Sequence, residues 1–328
     1  MFHRHYHHYP SQMAELQFVY QHNMVGMLSK VKESDGFHEV LDYLRTSHIA
    51  FALTINPKIY VEHMNQFWTN ASVHGSEENK TIRSIVHGKT IIITEALIRT
   101  HLLLDDESGI FSLSSETLFG GLQKMGYEGQ LTKFTFFKSL FPPQFKFLIH
   151  TIQQCLSQKR TAWNEFSSSI AAAIVCLSSS QRFNFSKMIF NGMLSNLDTK
   201  ASKILMYPRF IQHFLNKELT DLPPSDGIYL PLSHTKKVFS NMRRVGKGFS
   251  GTVTPLFSTM MGVTPTQGEG SGLHPESTGT PPDTRPTPTT IHIPQSSIDQ
   301  TPTPTLKTYK SKRLRELLPL LSLHPYSL

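Results

Sequence analysis

Residues 163–193 read WNEFSSSIAAAIVCLSSSQRFNFSKMIFNGM, and their spacing decides the fold class. Trp163, Phe166, Ile170, Ile174 and Leu177 recur every third or fourth residue, the period that places side chains on one helix face. After a short polar break, Phe185, Met188, Ile189 and Met193 repeat the pattern. Ala171 to Ala173 are small enough for a neighbouring helix to approach closely. These Met and Phe stripes read as core, not as a cofactor pocket.

Working toward the N-terminus, Phe145, Leu148, Ile149 and Ile152 form a stripe opened by Pro142-Pro143, and Leu118, Leu122 and Met125 form another after Ser114. Toward the C-terminus, Tyr207-Pro208 opens a stripe of Phe210, Ile211, Phe214 and Leu215. The pattern predicts several antiparallel helices with short Ser/Asn/Gly connections. No repeat of 20–50 residues is visible. Nearer the N-terminus, Asp35 reads as a helix cap ahead of Phe37, Val40, Leu41 and Leu44. Phe51 to Ile55 reads as a strand or extended segment, and Asn56-Pro57 starts a helix with proline at its first position. That helix carries Tyr60, His63, Met64, Phe67 and Trp68, with His63 as a core or boundary histidine.

Thr81 to Val86 and Thr90 to Ile93 are β-branched runs around His87-Gly88-Lys89, which predicts a hairpin. Thr94 then reads as an N-cap, with Leu97, Ile98 and Leu102 on the apolar face. Asp105-Asp106-Glu107 ends in Ser108-Gly109 without further oxygen ligands at calcium-loop spacing, and a solvated loop is expected there. The fold class is therefore mainly α: a helical globular region with a small β-hairpin, plus a long disordered Pro/Thr-rich tail.

The 328 residues divide by composition. Residues 1–12 form a His-rich leader with His3, Arg4, His5, His7 and His8, expected to be disordered. Residues 13–232 hold the apolar periodicity, 233–250 a basic segment, and 251–328 the tail. The tail holds 12 of the 20 prolines, many as Thr-Pro, and cannot bury enough apolar surface to offset ordering. That dilution explains a hydrophobic content of 38% and a charged content of 17%. Two cysteines, Cys155 and Cys176, are too few for a disulfide framework or a zinc knuckle, and read as buried free thiols in a reducing compartment. No apolar run is long enough for a membrane span, and the N-terminus has no signal core.

The chemistry of known enzymes finds no foothold. The chain lacks a Gly-x4-Gly-Lys-Ser/Thr phosphate loop, a Gly-x-Ser-x-Gly elbow, a His-Glu-x-x-His helix, a Cys-x-x-Cys pair and an Asp-Thr/Ser-Gly loop. No catalytic residue, metal ligand, cofactor or small-molecule substrate is expected. The positive signal is basic: the net charge is +8, and Lys236, Lys237, Arg243, Arg244 and Lys247 cluster without an acid. A second cluster holds Lys307, Lys310, Lys312, Arg313 and Arg315. Both clusters fit RNA or DNA phosphates, and Phe239 and Phe249 are placed to stack on bases. The plainer alternative for 234–249 is a solvated helix end followed by a hinge. The tail cluster also fits a nuclear localisation signal, which puts the chain in the cytoplasm or nucleus.

Several short matches in order carry a family resemblance. They are Phe51-Ala52-Leu53-Thr54-Ile55-Asn56-Pro57, Phe67-Trp68, Tyr207-Pro208-Arg209-Phe210, Ser233-His234-Thr235-Lys236-Lys237-Val238-Phe239 and Gly248-Phe249-Ser250-Gly251. Together, over roughly residues 13–260, they resemble the gag-like N-terminal region of plant copia-type LTR retrotransposon polyproteins, especially those of daisy-family genomes. The resemblance implies particle assembly and packaging of element RNA. The zinc knuckle, protease, integrase, reverse transcriptase and RNase H of complete polyproteins are not recognisable, so the chain reads as a truncated or domesticated piece. Relatives are sometimes labelled longin-like or synaptobrevin-like. A SNARE needs sustained heptads and an anchor, neither of which is visible. The expected function is a self-associating, nucleic-acid-binding structural protein. The alternatives are a protein-interaction or trafficking scaffold, or a relic without retained function.

Overall fold

Apolar residues at three- and four-residue spacing build helices through most of the computed structural model, which describes residues 16–30, 36–158, 164–199 and 204–233, together with Phe257 and Met260. All belong to the unit Met1–Ser277. A 3-10 turn, Tyr20–Asn23, leads into β1 (Met24–Val25). Helix α1 (His38–Thr46) buries Val40, Leu41 and Leu44 as expected and starts after Phe37 without a side-chain cap, while Asp35 lies outside the described residues.

The next two expectations are corrected. Phe51 to Ile55 is not a strand: Ala50–Thr54 is a short helix, α2. Its Leu53 and Ile55 N–H groups donate to the carbonyls of Ile49 and Phe51, and the Thr54 hydroxyl donates to Ala50 O at 2.8 Å. A five-residue apolar run carries no period of its own, so tertiary packing chose the helix. Pro57 does not open the following helix either. Ile59–Tyr60 is drawn into a strand, β2, and α3 (Val61–Asn70) starts after it, burying His63, Met64, Phe67 and Trp68.

The expected hairpin forms, with a third strand outside it. β3 (Ser72–His74), β4 (Thr81–Val86) and β5 (Lys89–Ile93) make an antiparallel sheet in that order. His87 and Gly88 both have positive φ, 46° and 74°, the tight primed turn that matches strand twist. Helix α4 (Glu95–Leu102) is capped by Thr94, whose Oγ1 accepts the Leu97 N–H at 3.0 Å.

Helix α5 (Ser115–Lys124) is capped by Ser114, and α6 (Pro143–Leu156) has proline at its first position. α6 runs through the core with almost every residue buried. Phe166 sits on a strand, not on the long helical stripe: β6 (Phe136–Phe137) pairs with β7 (Glu165–Phe166). Only then does α7 (Ser168–Ser178) begin, with Ala171 to Ala173 buried, while Trp163 lies outside the described residues. α5 packs so closely on α7 that a Cβ on Gly121 would lie 2.6 Å from Val175 Cγ1.

Helices α8 (Phe185–Asp198) and α9 (Pro208–Glu218) follow, the first capped by Asn184. The chain then forms two strands that sequence periodicity did not suggest. β8 (Ile228–Tyr229) pairs antiparallel with β2, and β9 (Leu232–Ser233) pairs parallel with β1, Met24 opposite Leu232 and Val25 opposite Ser233. The fold is mainly α with small sheets. Its core reaches past the boundary expected at 250: the Phe257 ring lies 5.5 Å from that of Phe145, and Met260 is 7% exposed.

Candidate functional site

Lys236, Lys237, Arg243, Arg244, Lys247, Lys307, Lys310, Lys312, Arg313 and Arg315 lie outside the described residues, as do Phe239, Phe249 and the His-rich leader. The structure shows what flanks the first cluster. On one side Ser233 is held in β9 by its pairing with β1, and Tyr229 stacks on Phe18 with ring centroids 3.7 Å apart. On the other side Phe257 and Met260 are anchored in the core. The stretch 234–256, with its five cations and no acid, therefore joins two points of one folded unit. Ile228, Leu230 and Leu232 expose an apolar row beside its start.

The acidic triplet is a loop with Asp105 and Glu107 exposed, as expected, but its middle residue is not solvated. Asp106 is 1% exposed, and its carboxylate accepts hydrogen bonds from Arg99 Nε at 2.9 Å, Ser186 N at 2.8 Å and Ser186 Oγ at 2.6 Å. Arg99 also pairs with Glu95 at 2.6 Å, Glu95 accepts from Asn184 Nδ2 at 3.0 Å, and Asp105 pairs with Arg182 at 3.1 Å. Gly109 makes the turn fit, since a Cβ there would lie 2.8 Å from both Asn184 N and Asp106 O. The i, i+4 spacing of Glu95 and Arg99 was a readable sign that a guanidinium stands nearby. These three hydrogen bonds make the carboxylate a tie between α4 and α8.

His48 faces this knot, with its ring 5.9 Å from that of Phe185. Burial first, then the positive charge of Arg182, push its pKa down to about 4, while Asp106 and Asp105 pull weakly the other way. Burial also lowers His63 and His213. The folded state thus keeps a neutral His48, and unfolding takes up a proton below the ordinary value of 6.5. Its contribution is whole above pH 6.5 and is lost as pH falls through about 4. That corresponds to roughly 2–3 kcal/mol. Thermal melts from pH 7 to pH 4 show a falling Tm, and His48→Leu flattens the fall; an equal fall in that variant would remove His48 as its source.

A buried cation stands at the ends of two helices. Arg209, 2% exposed, donates to Ile55 O at 2.6 Å, Cys155 O at 3.1 Å and Ala52 O at 3.4 Å, and lies over the Phe210 ring. Burial lowers its pKa to about 10. The carbonyls belong to the C-terminal turns of α2 and α6, where helix dipoles favour a positive charge.

Lys138 donates to Gln153 Oε1 at 2.6 Å, and Gln153 Nε2 donates to Glu165 O, so this pair fixes β7 beside α6. Burial lowers the Lys138 pKa to about 8. Both cysteines are free and buried, as expected, and burial pushes Cys155 up to about 12 and Cys176 up to about 11. At neutral pH they are thiols rather than the nucleophilic thiolate. His63 is a core histidine, bonded to Pro223 O and to Gln212, both at 3.1 Å.

An open cleft of 470 Å³ is lined by Leu28, Ser29, Arg45, Ala50, Phe51 and Thr54. Among the described residues, no group of three or more His, Cys, Asp or Glu is arranged to hold a metal ion, and no helix is long and apolar enough to cross a membrane. The buried polar groups hold elements together, and the sequence's basic segment is the remaining candidate for binding. No protein-family model matches the chain, and neither a curated protein nor a solved structure matches it.

Proposed function

We propose that this is a retrotransposon-derived, gag-like structural protein that self-associates and binds nucleic acid through its basic segments. The observation that supports this best is the double anchorage of 234–256: Ser233 in β9 on one side, Phe257 and Met260 in the core on the other. Lys236, Lys237, Arg243, Arg244 and Lys247 lie along the chain between those two anchored points. Cations concentrated in this way neutralise phosphates and release condensed counterions, which makes binding strongly salt-dependent. The protein acts in the cytoplasm or nucleus in this reading, in keeping with its two unpaired thiols.

Changing those five residues together to Gln reduces the slope of log affinity against log salt by about 3.5 for single-stranded RNA. Filter binding from low to moderate salt measures it. An unchanged slope would sink the assignment of the site. The exposed row of Ile228, Leu230 and Leu232 favours a second reading, a protein-interaction scaffold. A scaffold of that kind shows no salt-sensitive association with RNA in the same titration.

A further inference from the structure

The three-stranded sheet ends in β5, and the register shows which backbone groups it leaves over. Around the two-residue turn, Val86 faces Lys89, Ser84 faces Ile91 and Ile82 faces Ile93. In such a hairpin these pairs exchange their hydrogen bonds, and the residues between them point their N–H and C=O groups the other way. Those residues on β5 are Thr90 and Ile92, and among the described residues no strand pairs with that side of β5.

The side chains obey the same alternation. Ile91 and Ile93 are buried beneath the sheet, whereas Thr90 and Ile92 stand on the outer face beside Ile85 and Arg83. Ile85 is 48% exposed and Ile92 42% exposed. Natural edge strands are usually blunted by proline, a bulge or a charge in mid-strand. β5 reads Lys-Thr-Ile-Ile-Ile and has none of these. Its one cation stands at the end, and the Lys89 ammonium is turned to the carbonyl of Thr220.

We propose that the free edge of β5 pairs antiparallel with β5 of a second copy, joining two sheets into one of six strands. This takes up the self-association of the proposed function and gives it a surface. The strand is complementary to itself about a twofold axis at Ile91. Thr90 of each copy then faces Ile92 of the other, and both pairs exchange N–H to C=O hydrogen bonds. The antiparallel sense puts the two Lys89 side chains at opposite ends of the joint. A parallel arrangement would set them side by side. On the outer face, Ile92 of each copy stands between its own Arg83, with Ile85 on the diagonal, and the other copy's Thr90, covering apolar surface that the single copy leaves in water. A joint of this size is small, so it forms a weak, concentration-dependent pair.

Sedimentation equilibrium of the full chain without RNA, across a hundredfold range of concentration, reads this directly. The average mass should rise toward twice the monomer with concentration. Ile92→Lys places a charge in mid-edge, and Thr90→Pro removes an N–H that β4 does not use. Each should remain monomeric over the whole range, with a far-UV spectrum and Tm like those of the parent chain. A parent chain that stays monomeric throughout overturns the surface and, with it, the self-association of the proposed function. Association that survives both substitutions overturns the β5 edge alone and leaves self-association standing on another face. RNA binding is scored separately by its salt slope, so its failure is not confused with either result.

Discussion

Asp106→Ala lowers the free energy of unfolding by about 2–5 kcal/mol, because it leaves two buried Ser186 donors unpaired and takes one of two carboxylates from the half-buried Arg99. The carboxylate receives three hydrogen bonds, two from Ser186 and one from Arg99. Removing it leaves the Ser186 N–H and hydroxyl facing a hole, and each buried donor without a partner costs about 1–3 kcal/mol. Glu95 stays paired with Arg99 and softens the loss, so the charge is not wholly abandoned. Asp106→Asn keeps the shape and one acceptor and loses less, about 1–3 kcal/mol. Urea titrations of the two variants beside Ser186→Ala measure the order Ala, Asn, Ser186→Ala. A loss below about 1 kcal/mol for Asp106→Ala would show that the loop relaxes to let water in.

Arg209→Lys lowers stability by about 2–4 kcal/mol even though the charge is kept. The planar fork reaches carbonyls on two separate elements, Ala52 and Ile55 around α2 and Cys155 in α6. A lysine ammonium is a point donor on a different stem and cannot span both sets at once. It would also lie poorly over the Phe210 ring, where the guanidinium now stacks at 4.8 Å. No carboxylate among the described residues pairs with Arg209, so the helix-end carbonyls and the Phe210 ring compensate its desolvation. Guanidinium chloride midpoints of Arg209→Lys and Arg209→Met measure this. If Lys restores the midpoint while Met lowers it, charge and not fork geometry holds the site.

The helical part of this fold could be read from the sequence because its signal is local. Phe145 to Ile152, Phe185 to Met193 and Phe210 to Leu215 each show a full helical period, and Thr94 and Ser114 announce their helices by side-chain chemistry. The hairpin was legible for the same reason, since β-branched runs around His87-Gly88 leave few alternatives. What failed was decided at a distance. α2 is too short to show a period, and β2 and β8 exist only because residues 59–60 meet residues 228–229.

The candidate site divides in the same way. A run of three acids reads as surface by default, and the burial of Asp106 depends on Ser186, 80 positions away. Arg209 lies outside the apolar stripe of Phe210, Ile211, Phe214 and Leu215, yet it is among the largest fully buried side chains. The basic segment was visible as composition. Its anchorage through Phe257 was not, because one aromatic among Thr, Gly and Pro carries no pattern.

The parallel pairing of Met24–Val25 with Leu232–Ser233 also sets an order of events during synthesis. The first strand leaves the ribosome early and has no partner strand until the last one follows. At roughly 5–20 residues per second that interval is about 10–40 s. Throughout it, the helices between can form and pack while the seam that closes them is open. The N-terminal strand thus gains its partner strand late, and a nascent chain halted before Leu232 leaves the backbone edge of Met24 and Val25 open to whatever binds extended segments at the tunnel exit.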